Sequence, residues 1–269
     1  MKTVAVIPAF NEAETVNKVL AETRRYVDLA FVVDDGSEDG TSFLPEGLLR
    51  HFRNRGKGVA LRTGIRSALS AGAEIIVTLD ADGQHDPAEI PRLLSAMNDA
   101  DLVIGKRIRS NLMPRIRRWS NGGSSLLLSV ASGQRWYDVH SGFRAYRADL
   151  FRKMEIHSRR YEVEIELLLK ACRAGCRVVE VPVSTRYGSE RSNFAAARDT
   201  FRFLKAVAVF SLGLDQWNLL QNAKKWWRIS LSGVESVMGT FLRRSVRFRG
   251  TDLSRSNWPP VPTRTDLSR

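Results

Sequence analysis

Asp80 and Asp82 stand one residue apart in Thr78-Leu79-Asp80-Ala81-Asp82-Gly83-Gln84-His85-Asp86-Pro87, directly after the apolar run Ile75-Ile76-Val77. A buried strand ending in Asp-x-Asp places both acids at the carboxyl edge of its sheet, where ligands of open α/β sheets gather. Hard divalent cations take oxygen ligands, and phosphate substrates are commonly held through such a cation. Asp80, Asp82 and Gln84 fall at alternate positions, so an extended segment presents all three on one face. An EF-hand is excluded, because its ligands need a loop of about twelve residues closing on Glu. The segment therefore points to a metal-assisted site for a nucleoside diphosphate. Asp86 is better explained as a helix N-cap, with Pro87 at the first helical position.

Three further segments join strand ends to helix starts. Pro8-Ala9-Phe10-Asn11-Glu12 offers backbone groups and a ring edge able to hold a base and ribose. Asp34-Asp35-Gly36-Ser37 supplies acids that accept from a nucleobase N–H or ribose hydroxyls, or simply form a capped acidic turn. Asn54-Arg55-Gly56-Lys57-Gly58, continuing to Arg62 and Gly64, is glycine-rich and basic. Its glycines allow close backbone approach, and Lys57 or Arg62 is placed to meet a phosphate or an acid. It lacks the spacing of a Walker P-loop, and no Gly-x-Gly-x-x-Gly follows the first strand. Both absences argue against ATPase and dinucleotide dehydrogenase chemistry. A nucleotidyltransferase would carry a glycine-rich triphosphate loop where this chain has Pro8–Glu12.

The elements that position these residues alternate. Apolar runs predict strands over 4–8, 30–33, 48–52, 74–79 and 101–104, and helical spacing predicts helices over 11–26, 58–71 and 86–97. Strand–helix alternation implies an α/β fold, a mostly parallel sheet with helices on both faces. The second half is less regular: a helix over 121–132, a strand over 141–146, a helix over 161–174, a strand over 177–183 and an amphipathic helix over 194–214. Between the two halves, Lys106, Arg107, Arg109, Arg115, Arg117 and Arg118 form a basic run with no acid among them.

The 269 residues suffice for one large domain with a tail. The net charge of +13 is uneven: residues 201–269 hold 12 Lys/Arg against 4 Asp/Glu, leaving +5 for the first 200. Four of the six tryptophans (Trp217, Trp226, Trp227 and Trp258) lie in the same tail. Basic residues mixed with tryptophan are typical of interfacial helices. The apolar run 206–214 is about half of the roughly 20 residues a membrane span needs, so no span is expected. We read 201–248 as amphipathic and possible to dock peripherally on a membrane, and 249–269, with Thr-Asp-Leu-Ser-Arg at 251–255 and again at 265–269, as a disordered tail. The first strand begins at once, so no signal peptide is expected, and Cys172 and Cys176 show no disulfide or zinc spacing. The cysteine usage leads us to expect an intracellular, cytoplasmic chain. A basic nucleic-acid-binding protein is the rival outside enzymology, but it leaves the Asp-x-Asp loop unexplained, and no nucleic-acid partner is expected.

Taken in order, Val6-Ile7-Pro8-Ala9-Phe10-Asn11-Glu12, Val32-Val33-Asp34-Asp35-Gly36-Ser37, Gly56-Lys57-Gly58, Asp80-Ala81-Asp82-Gly83-Gln84 and Ser141-Gly142-Phe143-Arg144-Ala145-Tyr146 resemble the family 2 inverting glycosyltransferases. Their fold is GT-A, and the branch this chain resembles most is that of the dolichol-phosphate mannosyltransferases and related polyprenyl-phosphate glycosyltransferases. The resemblance covers roughly residues 1–205, with 1–200 as the catalytic domain. It implies that Pro8, Phe10, Glu12 and Asp35 hold the nucleoside, with Arg62 supporting the pocket and Lys57 on the donor. It implies Asp80, Asp82 and Gln84 as ligands of Mg2+ or Mn2+ bridging the donor diphosphate. Arg107 would neutralise phosphate charge, Arg117 or Arg118 would sit in a mobile loop over the donor, and Arg144 would face donor or acceptor phosphate. Residues 187–192 resemble the segment that ends the catalytic domain in this branch.

The implied donor is a nucleotide sugar of GDP-mannose or UDP-glucose type. The implied acceptor is a polyprenyl phosphate, with a soluble hydroxyl acceptor as the alternative, and the implied place is the inner face of the membrane. A hydroxyl acceptor would need a general base, and Glu162, Glu164 and Glu166 are the later acids available. On a helix 162 and 166 share a face while 164 points elsewhere. His85 is read as a loop histidine without catalytic duty, and His140 is left open.

Overall fold

The computed structural model describes residues 1–41, 48–108, 125, 128–129 and 134–186. Arg117, Arg118, the segment 187–192, the helix expected over 194–214 and the regions 201–248 and 249–269 lie outside the described residues. Seven strands form one sheet: β1 (Thr3–Ala9), β2 (Leu29–Asp34), β3 (Leu48–Arg50), β4 (Ile75–Thr78), β5 (Leu102–Arg107), β6 (Arg144–Arg147) and β7 (Val178–Val183), in the order β3-β2-β1-β4-β6-β5-β7. All pairings are parallel except those of β6, which runs antiparallel between β4 and β5. The expected mostly parallel α/β sheet is therefore present.

β1 and β4 read as unbroken apolar runs because both of their faces are covered. Ala5 and Ile7 of β1, with Val32, Val77 and Val103, join the core that includes Val16, Val19 and Leu20 of α1 (Val16–Thr23) and Leu93 of α3 (Ile90–Ala96). Val6 and Val33 point the other way, into α2 (Lys57–Ser70), where Gly64 is required. A Cβ on Gly64 would lie 2.3 Å from Val6 Cγ1. The described residues of the second half include the helices α4 (Asp149–Lys153) and α5 (Val163–Arg173), the latter buried along most of its length.

Two helices are shorter than their apolar spacing predicts, each for a local reason. Asn11 has φ +56°, and Ala13 N donates to Asp39 Oδ2 at 3.0 Å, so residues 11–15 form a turn and α1 starts at Val16. Over 86–97, Asp86 caps as expected, accepting from Ala88 N at 3.0 Å, but the first turn is a 3-10 turn at Pro87–Glu89 before α3. Pro91 in the first turn of α3 has no N–H to donate.

Candidate active site

Parallel strands deliver their carboxyl ends to one edge. There Pro8 and Ala9 (end of β1), Phe10 and Glu12 (the loop after it), Asp35 (after β2), Asn54 and Gly56 (after β3), Lys57 and Ala60 (start of α2) and Asp80, Ala81 and Asp82 (after β4) line one cleft. Arg160 and Tyr161, from the segment before α5, close its rim. The structure thus gathers seven of the expected site residues: Pro8, Phe10, Glu12, Asp35, Lys57, Asp80 and Asp82. Gln84 is not among the lining residues. Its backbone N donates to Asp82 Oδ1 at 3.0 Å, and its carbonyl accepts from Arg186 N at 2.9 Å.

Lys57 meets acids. Its Nζ lies 2.5 Å from Asp80 Oδ1 and 2.6 Å from Glu164 Oε1. Burial alone would lower the Lys57 pKa, but the two carboxylates outweigh it and raise it. Asp80, whose other oxygen is 3.7 Å from His85 Nε2, is held well below the usual carboxylate range by Lys57 and His85 in spite of its burial. Asp82 moves the opposite way: burial and the adjacent Asp80 charge raise it. Two acids held together at a cleft mouth, one of them penalised by the other, fit a divalent cation, which relieves that repulsion. Among the described residues no group of three His, Cys, Asp or Glu side chains converges to enclose a metal. Such a donor set suits Mg2+ or Mn2+ that completes its shell with substrate phosphate and water.

Gly142 sets the spacing of this group. A Cβ there would lie 2.7 Å from Asp80 Oδ2 and 3.0 Å from Lys57 Nζ. Gly142→Ala is therefore expected to displace Asp80 and lower kcat by about 10²-fold, since a shift near 1 Å at a reacting centre has that effect. Steady-state kinetics beside a circular dichroism spectrum check it, and an unchanged kcat would contradict the crowding.

Asp35 does more than line the cleft. His51 Nδ1 lies 2.7 Å from its Oδ1, and Arg55 N and Gly56 N donate to the same carboxylate at 3.0 and 2.6 Å. It shapes the glycine loop, whose Gly56 and Gly58 pack against the backbone of residues 158–159, at 2.2 and 2.3 Å from where a Cβ would be. Arg62 acts at one remove from the cleft, donating from Nη1 to Ile156 O at 2.7 Å.

The structure corrects one expected role. Arg144 does not face a phosphate: it is completely buried, and its guanidinium donates at 2.7 Å to three carbonyls, those of Ser141, Glu164 and Val139. The reason is topological, since β6 enters the sheet antiparallel and its first residue points into the protein. Arg107, at the end of β5, donates to Asp138 three times, from its guanidinium at 2.7 and 2.8 Å and from its backbone N at 3.1 Å. That pairing outweighs burial and keeps Asp138 below the usual carboxylate range.

Of the three later acids, Glu164 reaches the site. Glu166 pairs with Lys170 at 2.6 Å and accepts from His157 N and Ser158 N, while Glu162 Oε1 lies 3.4 Å from Arg160 N. Arg160, Tyr161 and His85 were not legible as site residues. His85 follows Asp82 in a loop-like sequence, yet it is buried against Phe143, with ring centroids 5.3 Å apart. His140 is pushed down to about 4, first by burial, then by Arg107, Arg144 and Lys57, with Asp138 opposing. It is neutral in the fold, whereas the unfolded side chain titrates near 6.5. Between these values the unfolded chain binds more protons, so stability falls as pH drops from about 6.5 towards 4. Melting temperature against pH should show that slope, and His140→Gln should flatten it.

A parallel-rich sheet with an acidic pair at the end of its fourth strand, facing a cleft built from the first three, is the architecture of the GT-A nucleotide-sugar transferases. The fold matches glucosyl-3-phosphoglycerate synthase from Mycobacterium tuberculosis, solved with Mn2+, uridine diphosphate and phosphoglyceric acid, with a TM-score of 0.65 over 78% of each chain at 20% identity. The chain belongs to glycosyl transferase family 2, whose model matches residues 4–155. It is 34% identical over 202 residues to undecaprenyl-phosphate mannosyltransferase of Micrococcus luteus, covering 68% of this chain and 83% of that protein. It is 33% identical over 207 residues to polyprenol monophosphomannose synthase of Mycolicibacterium smegmatis, covering 68% and 77%. Similarity extends to UDP-N-acetylglucosamine–dolichyl-phosphate N-acetylglucosaminyltransferase of Methanococcus voltae, 30% identical over 225 residues, covering 72% and 88%. The chain is a glycosyltransferase.

Proposed function

We propose that this enzyme moves a hexose from a nucleoside diphosphate sugar to a polyprenyl phosphate, with a divalent cation at Asp80 and Asp82 and inversion at the anomeric carbon. The observation that carries this reading is the convergence of Asp80 and Asp82 with Pro8, Phe10, Glu12 and Asp35 in one cleft. Pro8 and Phe10 form an apolar wall for the base, and Glu12 accepts from nucleoside donors. The cation, when bound, supplies positive charge to the leaving diphosphate. Arg160 on the rim adds positive charge to the cleft, and Lys57 offsets part of the charge of Asp80 and Glu164, which helps the site accept the charge that grows as the glycosidic bond breaks.

The acceptor attacks the anomeric carbon on the face opposite the diphosphate. A phosphate acceptor is already anionic at neutral pH and needs no base. That suits Glu164, whose carboxylate is engaged with Lys57 rather than poised to take a proton. The names of the relatives, which act on undecaprenyl or dolichyl phosphate, favour the same acceptor class.

Among the described residues no helix is long and apolar enough to cross a membrane. We place the enzyme at the inner membrane face by peripheral contact, supported by the +8 charge and clustered tryptophans of residues 201–269. The test is transfer of labelled sugar, screened over GDP-mannose, UDP-glucose and other donors with Mn2+, to polyprenyl phosphate in vesicles. Label is expected in the lipid fraction. Label reaching only soluble hydroxyl acceptors would replace the acceptor assignment.

A further inference from the structure

Phe52 is fully exposed, and the chain on both sides of it is fixed. On one side His51 is buried, with its ring nitrogens 2.7 Å from Asp35 Oδ1 and 2.9 Å from Thr63 Oγ1. On the other, Arg53 is packed so closely on Gly36 that a Cβ there would meet its carbonyl carbon at 2.4 Å, and Arg55 N is bound to Asp35. The ring is therefore held outward by anchors that leave it no route into the core.

Its surroundings are basic. Arg50, Arg53 and Arg55 are exposed, and residues 47–73 contain no Asp or Glu. Against this loop, through Gly56 and Gly58, lies the segment 157–161, which exposes His157, Arg159, Arg160 and Tyr161. It too is fixed, because Glu166 accepts from His157 N and Ser158 N, while Lys170 neutralises that carboxylate. The acids at this surface are Asp34, which pairs with Arg50 at 3.3 Å, Asp35, which binds His51 and Arg55 N, Glu155, which is exposed, and Glu162, whose Oε1 faces Arg160 N. The result is a fully exposed Phe52, with the less exposed Tyr161 nearby, in an arginine-rich rim at the sheet edge that also bears the cleft.

We propose that this rim is a docking surface for an anionic bilayer, with Phe52 entering the interface and Arg53, Arg55 and Arg159 on lipid phosphates. Clustered cations gain attraction to an anionic leaflet, and an aromatic ring with an apolar body prefers the headgroup boundary. The choice of a bilayer rests on the polyprenyl phosphate reading. The proposed contacts Phe52, Arg53, Arg55 and Arg159 are not among the cleft-lining residues, although the surface adjoins the cleft at Arg160 and Tyr161, and they lie on the catalytic domain itself rather than on residues 201–269.

The test floats the full-length protein with phosphatidylcholine vesicles, with and without phosphatidylglycerol, in the absence of donor and acceptor, so its result is separate from that of the transfer assay. Arg53→Gln and Arg159→Gln are each expected to weaken binding to anionic vesicles about fivefold, the effect of about 1 kcal/mol per cation. Phe52→Ser is expected to weaken it on the order of tenfold. Phe52→Trp should bind at least as well as the natural chain, because tryptophan favours the interface. Transfer to a short-chain, water-soluble polyprenyl phosphate should be unchanged in all four variants. Undiminished flotation of the variant combining Phe52→Ser, Arg53→Gln and Arg159→Gln would overturn the proposal. So would variants that lose affinity for a single-stranded oligonucleotide while keeping vesicle binding, which would mark the rim as a nucleic-acid surface.

Discussion

Asp82→Ala is expected to lower sugar transfer by about 10²–10³-fold while leaving the melting temperature unchanged or slightly raised. The size follows from the role: groups that stabilise developing charge in a water-poor site contribute on the order of 10²–10³ each, and Asp82 is half of the acidic pair proposed to hold the cation. The unchanged fold follows from the environment. Asp82 is only partly buried, its described contact is one bond from Gln84 N, and its charge is disfavoured by burial and by Asp80. Removing it relieves that repulsion. Transfer kinetics at saturating Mn2+, set beside a thermal melt, test both halves. Retained activity would refute the metal assignment, whereas a collapse of the melting temperature would show that Asp82 holds the loop rather than the chemistry.

Arg144→Met should do the reverse, costing stability first and activity only as a consequence. The substitution keeps most of the apolar stem but leaves the carbonyls of Ser141, Val139 and Glu164 without their donor in a fully buried place. Each orphaned acceptor costs about 1–3 kcal/mol, and breaking a buried charged network costs about 3–5 kcal/mol in all. For a domain of this size that is a fall in melting temperature on the order of 10 °C. The loss should be visible by calorimetry without any substrate. If Arg144 met a substrate phosphate instead, the variant would melt normally and lose kcat.

The contrast between these residues shows where sequence reasoning reaches. Asp80 and Asp82 were legible because their position depends on a local pattern, a buried apolar run and then two acids, and strand ends of this kind lie at the ligand edge. The strands β1, β2, β4 and β5 were legible for the same reason, as was Asp86 as a cap. Arg144 was misread because an arginine two residues after a glycine, between Phe143 and Ala145, reads the same whether it faces solvent or the interior. Only the insertion of β6 between β4 and β5 turns it inward.

Lys57 was legible as a cation that would meet a phosphate or an acid, but not which. The acids it meets are 23 and 107 residues away, at Asp80 and Glu164. Arg160 and Tyr161 enter the cleft because Gly56 and Gly58 admit the backbone before them, a close approach between segments about 100 residues apart. No local pattern around 160 signals it. Helix α1 was too long in the sequence reading because side-chain bonds from Ser37, Asp39 and Thr41 hold residues 11–13 in a turn. Competing bonds of that sort have no periodicity to read.

Asp35 makes position 35 pleiotropic. One carboxylate borders the cleft, orients the glycine loop and, through His51 and Arg55, braces the strut on which Phe52 stands. Natural variation there is confined by several demands at once, so drift in sugar use has more freedom at Asn54 or Glu12, which border the cleft and take no part in the bonds from His51, Arg55 and Gly56 to Asp35. A laboratory search for altered sugar use would gain more from those neighbouring positions than from the acid at the centre of the scaffold.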